Sequence, residues 1–172
     1  FYPGPGLGGH CIPIDPFYLS WKAKQAGSEA RFIDLAGQVN SSMPHHVVEL
    51  VSRGLNDKKM AVNGSKVLVV GVAYKPAIDD VRESPALDIL EILAERGAEV
   101  SWYDPHVPEL PDGLKHPKHE GWSADDLKNF DAALIVTPHP EVDHTVLLEA
   151  GIMTVDTRNA LKGHKGDAII KL

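Results

Sequence analysis

Lys66-Val-Leu-Val-Val-Gly71 is the first of four apolar runs that decide the fold of this 172-residue chain. Glu99-Val-Ser-Trp-Tyr-Asp104, Asp131-Ala-Ala-Leu-Ile-Val-Thr137 and Ile152-Met-Thr-Val155 follow it. A near-continuous β-branched run is what a strand buried on both faces of a parallel sheet requires. Between the first two runs, Ser84-Pro85 starts a helix whose Leu87, Leu90, Ile92 and Leu93 lead to a stop at Gly97. Residues 106–121 are loop-like, 123–129 open as a capped helix, and 141–150 read as a further helix. This β-α-β-α-β order predicts an α/β fold with a doubly wound, mainly parallel, Rossmann-like sheet. Ligands of such sheets bind beyond the carboxyl ends of the strands. The residues found there are Val72-Ala-Tyr74-Lys75-Pro, then Asp79, Asp80, Arg82 and Glu83, then Thr137-Pro-His139, and finally Asp156-Thr-Arg158-Asn159. Lys75 and Arg158 are thus expected on one rim, as a pair of cations suited to a diphosphate, unless Asp79, Asp80 or Asp156 neutralises them.

Upstream of the sheet, Ile33, Ala36, Val39, Met43, Val47, Leu50, Val51 and Leu55 recur at helical spacing across 30–60. Pro44 predicts a kink or two abutting helices, with Asn40, Ser41 or Ser42 available as a cap. This apolar stripe is expected to face either the domain's own core or a second copy of the helix. A short helix over 17–26, ended by Gly27, precedes it.

Residues 3–16 place the only cysteine, Cys11, in a loop with Gly4, Gly6, Gly8 and Gly9, beside His10 and four residues before Asp15. Glycines let backbone approach a ligand closely, and a thiol delivered by such a loop can serve as a nucleophile. A small buried hydrophobe is the competing reading of a lone cysteine. Gly4-x-Gly6-x-x-Gly9 also spells the dinucleotide fingerprint. No strand precedes it within this chain, and Pro3, Pro5 and Pro13 oppose a helix opening there, so that reading is rejected.

The bulk composition is that of a globular protein, 43% hydrophobic and 24% charged. A net charge of −7 argues against nucleic acid or an anionic membrane as the main partner. No apolar run is long enough for a membrane span, and one cysteine allows no internal disulfide, so a reducing, cytoplasmic setting is expected. His116-x-x-His119 with His106 sits in a polar loop without cysteines and is assigned no metal. The start without Met, inside a motif, suggests a piece of a longer protein.

Taken in order, these segments resemble the UDP-glucose/GDP-mannose dehydrogenase family. The likeness rests on Gly8-Gly-His-Cys-Ile-Pro-Ile-Asp-Pro16, Val39-Asn40 with Met43-Pro44, Gly71-Val-Ala-Tyr-Lys-Pro76 with Asp80-Val-Arg-Glu-Ser-Pro85, and Asp156-Thr-Arg-Asn159. His10 and Pro13 look like the branch acting on UDP-N-acetylhexosamines, UDP-GlcNAc or UDP-ManNAc. The resemblance implies a catalytic-cysteine loop with a short helix over 1–27, a central dimerisation helix over 28–62 and a C-terminal UDP-binding α/β domain over 63–172. It implies oxidation of the sugar C6 alcohol to a carboxylate with two NAD⁺, through a thiohemiacetal and thioester on Cys11, with Asp15 orienting or activating water. Tyr2, Gly4, Gly6, Gly8, Tyr74, Lys75 and Arg158 match substrate-binding positions, and Arg82 matches one that reaches NAD. A homodimer is implied, and the family commonly feeds capsule or envelope glycans. The N-terminal NAD-binding domain is missing here, so the chain alone is expected to be inactive. A nucleotide-binding module without chemistry and a dimerisation scaffold are the rival readings.

Overall fold

A computed structural model describes residues 2–172; Phe1, the first residue of the expected 1–27 segment, lies outside the described residues. Helices α1 (Asp15–Gln25) and α2 (Arg31–Asp57) precede the sheet. There follow β1 (Lys66–Val70), α3 (Pro85–Glu95), β2 (Glu99–Tyr103), α4 (Ala124–Leu127), β3 (Ala132–Ile135), α5 (Val146–Glu149), β4 (Met153–Asp156) and β5 (Ile169–Lys171). The five strands are all parallel, in the order β2-β1-β3-β4-β5. The chain runs outward from β1 to β2 and then crosses to β3, so the order reverses between β1 and β3. That reversal opens the crevice of a doubly wound sheet.

Alternation along β1 builds two cores. Val67 and Val69 face α2 and α3, packing with Val47, Val51, Leu55, Ile89 and Leu93, while Leu68 and Val70 face α4 and α5 through Leu127 and Leu147. Ser84 caps α3 by accepting the Ala86 N–H, with Pro85 in the first turn and Gly97 at φ +84° after it. The 105–119 loop covers the free edge of β2: Trp102 N–H donates to Pro117 O, and His119 N–H to Trp102 O.

Three expectations need correction. Of the two alternatives at Pro44 the abutting helices are overturned: helix α2 passes through Pro44 as one element, and Ser42 bonds back to Val39 O instead of capping a second helix. Burial decides this, because Pro44, Val47, Val48, Leu50, Val51 and Leu55 are all buried, and their packing outweighs the hydrogen bond proline cannot donate. The 141–150 helix shrinks to Val146–Glu149, since Asp143 accepts from both the N–H and the hydroxyl of Thr145 in a competing local turn. The sheet also gains a fifth strand, three residues long, that the sequence did not announce.

The apolar stripe divides in two. Its second half is the domain's own core, whereas in the first half Val39 is 52% exposed, and beside the stripe Phe32 and Leu35 of the same helix are 88% and 54% exposed. Tyr18 and Trp21 of α1 are exposed as well. Among the described residues no helix is long and apolar enough to cross a membrane.

Candidate nucleotide site at the strand ends

The glycine loop lies across the carboxyl ends of the strands and is tied down at three points. Arg158 donates from Nη2 to Gly6 O at 3.2 Å and from Nε to Val136 O at 3.1 Å. Leu7 N–H donates to Asn40 Oδ1 at 2.8 Å, and Gly9 N–H to Arg82 O at 2.9 Å. The glycines are needed for this closeness. A Cβ on Gly4 would stand 2.2 Å from the Arg158 guanidinium, and one on Gly8 would stand 2.5 Å from Glu83 O. Gly9 combines φ +94° with the Tyr74 ring above it.

Between loop and sheet lies a cavity of about 350 Å³, lined by Tyr2, Gly6, Gly8, Tyr74, Lys75 and Arg158, together with Pro76 and Thr137. Six of the positions singled out in the sequence therefore meet at one place, and Gly4 joins them through its contact with Arg158. The volume is within the range of small-ligand sites. Neither cation forms an ion pair: among the described residues no carboxylate lies within 4 Å of Lys75 or Arg158. Two of the three expected competitors are occupied elsewhere. Asp80 is forked to Arg82, while Asp156 caps the turn after β4 by accepting from the backbone N–H of Arg158, Ala160 and Leu161. Burial pushes the Arg158 guanidinium below its usual pKa, so an anion brought to it would meet a partly desolvated cation.

Cys11, Asp15 and Arg82 stand apart from this cavity. Cys11 is exposed, with His10 Nδ1 3.8 Å from its sulfur, so the buried-hydrophobe reading of the thiol does not hold. Its carbonyl accepts the Ile14 and Asp15 N–H groups, which starts α1 and puts Asp15, exposed, in the first turn. Arg82 is exposed and bound to Asp80, whose carboxyl those hydrogen bonds hold below the usual range.

Sequence reasoning missed the support beneath Tyr74 and Lys75. Asp104, buried at the end of β2, accepts the Val72 and Ala73 N–H groups on Oδ2 and the His106 and Val107 N–H groups on Oδ1. His139 Nε2 is 3.0 Å from Oδ2. Burial alone would raise the Asp104 pKa, but the hydrogen bonds from His139, Ala73 and His106 outweigh it and hold the carboxyl well below the usual range. The signal was an Asp-Pro pair after a strand and a histidine after its neighbour. His106, His139 and Glu141 cluster nearby. Both His139 nitrogens are already engaged, with Asp104 and with the Ala77 N–H, and His106 Nε2 is paired with Glu141, so the trio offers a metal no set of three free ligands.

Fold and site together define a doubly wound α/β domain with a cationic crevice at its strand ends, fronted by a cysteine-bearing loop. Residues 68–163 match the "UDP-glucose/GDP-mannose dehydrogenase family, UDP binding domain", and residues 1–42 match the central domain of the same family. The chain belongs to that family. It is 33% identical over 167 residues to the UDP-N-acetyl-D-mannosamine dehydrogenase of Methanococcus vannielii, covering 92% of this chain and 36% of that protein. The structure of a UDP-D-ManNAc dehydrogenase from Pyrococcus horikoshii superposes with a TM-score of 0.81 at 30% identity, over 99% of this chain and 40% of that one. An NDP-N-acetyl-D-galactosaminuronic acid dehydrogenase from Methanosarcina mazei shares the fold, with a TM-score of 0.82 at 24% identity, over 100% of this chain and 39% of that one. The chain thus spans between a third and two fifths of these relatives' length.

Proposed function

We propose that this chain is the C-terminal part of an NAD-dependent UDP-sugar 6-dehydrogenase and that the strand-end cavity holds the uridine diphosphate of a UDP-N-acetylhexosamine. One observation carries the reading: Lys75 and a partly desolvated Arg158 face one cavity with no carboxylate of the described residues within salt-bridge reach. A diphosphate supplies the missing charge, with Tyr2, Gly4, Gly6, Gly8 and Tyr74 as backbone and ring surfaces for the nucleotide and sugar. In this reading 1–27 is the catalytic-cysteine segment, 28–62 the dimerising helix and 63–172 the nucleotide-binding domain.

Cys11 is assigned as the nucleophile. Its thiolate adds to the carbonyl carbon of the C6 aldehyde, forming a C–S bond and, after proton uptake, a thiohemiacetal. Loss of hydride from that carbon and of the hydroxyl proton leaves a thioester. Water oriented by Asp15 cleaves the C–S bond, releasing the carboxylate and restoring the thiol. The chemistry the dinucleotide would supply when bound is acceptance of one hydride per molecule, so two NAD⁺ in turn would take the hydride lost when the C6 alcohol becomes the aldehyde and the one lost from the thiohemiacetal. Within this chain its one candidate contact is the exposed guanidinium of Arg82, already braced by Asp80, so the rest of its site belongs to the part of the relatives this chain does not span. The chain by itself is accordingly inactive. In the whole protein a second copy covers Phe32, Leu35 and Val39, in the cytoplasm, and the uronate product feeds an envelope polysaccharide.

Thermal denaturation with UDP tests the site. At one hundred times its Kd a ligand stabilises by about 2.7 kcal/mol, a rise in melting temperature of roughly 5–11 °C for a domain of this size. Arg158→Gln should abolish the rise, and an equal rise in the variant would contradict the assignment.

A further inference from the structure

The segment 72–77 carries Tyr74 and Lys75 to the cavity, and apart from Thr137, which lines the cavity, the side chains that hold it lie outside. Ala73 is tied by its N–H to Asp104 and by its carbonyl to the Thr137 hydroxyl. Ala77, two residues beyond Lys75, has φ +61°, a left-handed conformation strained for alanine. Its N–H donates to His139 Nδ1 at 3.2 Å. A ring nitrogen that accepts carries no hydrogen, so Nε2 bears it and donates to Asp104. The ends of β2 and β3 flank β1, and this chain of bonds passes over the β1 end from one to the other; its two side chains are out of solvent, Asp104 1% exposed and His139 2%, while Ala77 at its end is exposed.

We propose that His139 is a positioning residue for the anionic ligand: the imidazole, oriented by Asp104, holds Ala77 in its strained conformation and so sets Lys75 over the cavity. This rests on the nucleoside-diphosphate reading above. A histidine that only filled space would tolerate any side chain of its volume. A positioning role needs an acceptor at the Nδ1 position, and two amides separate the possibilities, since the Asn amide superposes near Nδ1 and the Gln amide near Nε2.

The experiment compares the native chain with His139→Asn and His139→Gln by amide hydrogen exchange at Ala77, calorimetric titration with UDP, and melting temperature. The glutamine variant should lose protection at Ala77 and bind UDP at least tenfold more weakly. The asparagine variant should rescue both, staying within about threefold of native affinity although its melting temperature falls. Native exchange and affinity in His139→Gln, or losses in both variants that simply follow melting temperature, would overturn the proposal. If the native chain binds no UDP, the nucleotide reading is what fails. Ala77 exchange then decides the tether: loss in the glutamine variant alone supports it, and equal protection in both variants overturns it.

Discussion

Asp104→Asn is the substitution whose cost the structure fixes most closely. The side chain keeps its shape, but one acceptor oxygen becomes an NH₂ group. In the native protein each oxygen takes two backbone N–H groups, those of Val72 and Ala73 on one and those of His106 and Val107 on the other. Whichever way the amide turns, two buried donors therefore face a donor. His139 cannot relieve Val72 or Ala73, because moving its hydrogen to Nδ1 would set that nitrogen against the Ala77 N–H. At about 1–3 kcal/mol for each orphaned buried group, the loss is about 2–6 kcal/mol. That is a large fraction of the 5–15 kcal/mol typical of a folded domain.

The pH dependence follows from the depressed Asp104 pKa. A carboxyl that ionises more readily when folded contributes stability fully above its unfolded pKa, near 4, and loses it as the pH falls through the folded value. Urea unfolding of both proteins from pH 7 to pH 3 should show a gap of 2–6 kcal/mol at neutrality that narrows below about pH 4. A gap under 1 kcal/mol at pH 7, or one that stays constant to pH 3, would refute the reasoning.

Gly71→Ala should cost roughly 2–6 kcal/mol in the same assay, because the position has φ +79° and the new methyl would meet Thr137 O at 2.0 Å across the β1–β3 crevice; a loss within 1 kcal/mol would show that the crevice can open. His144 is buried with Nε2 unpartnered, and burial lowers its pKa, so the unfolded chain binds its proton first. Stability is then full above about pH 6.5 and falls on acidification, and His144→Leu should flatten the melting-temperature profile between pH 7 and pH 5. Sedimentation should show a dimer that Leu35→Glu converts to a monomer, given the exposed Phe32, Leu35 and Val39 face; a native monomer would contradict the dimer.

The sequence carried the four main strands because each is an apolar run ended by Gly, Asp or Thr, and it carried α3 because Ser84-Pro85 and Gly97 punctuate it. Strand β5 was illegible. Two half-buried isoleucines and an exposed lysine after a Gly- and Lys-rich stretch acquire strand geometry only from pairing with β4. The passage of α2 through Pro44 was equally hidden, being a consequence of burial and not of propensity. At the site, strand-end positions pointed to Tyr74, Lys75 and Arg158, since topology brings such residues to one rim. The Asp104–His139 bond could not be read the same way. It joins residues 35 apart through the order β2-β1-β3, and nothing local announces that β2 and β3 flank the same strand.

The most direct test of the account is a calorimetric titration of UDP into this chain and into Lys75→Ala. The account predicts one site per chain, weakened about tenfold or more in the variant, because Lys75 faces the cavity with no carboxylate of the described residues within 4 Å to compete for it. Equal UDP affinity in the two proteins would contradict it.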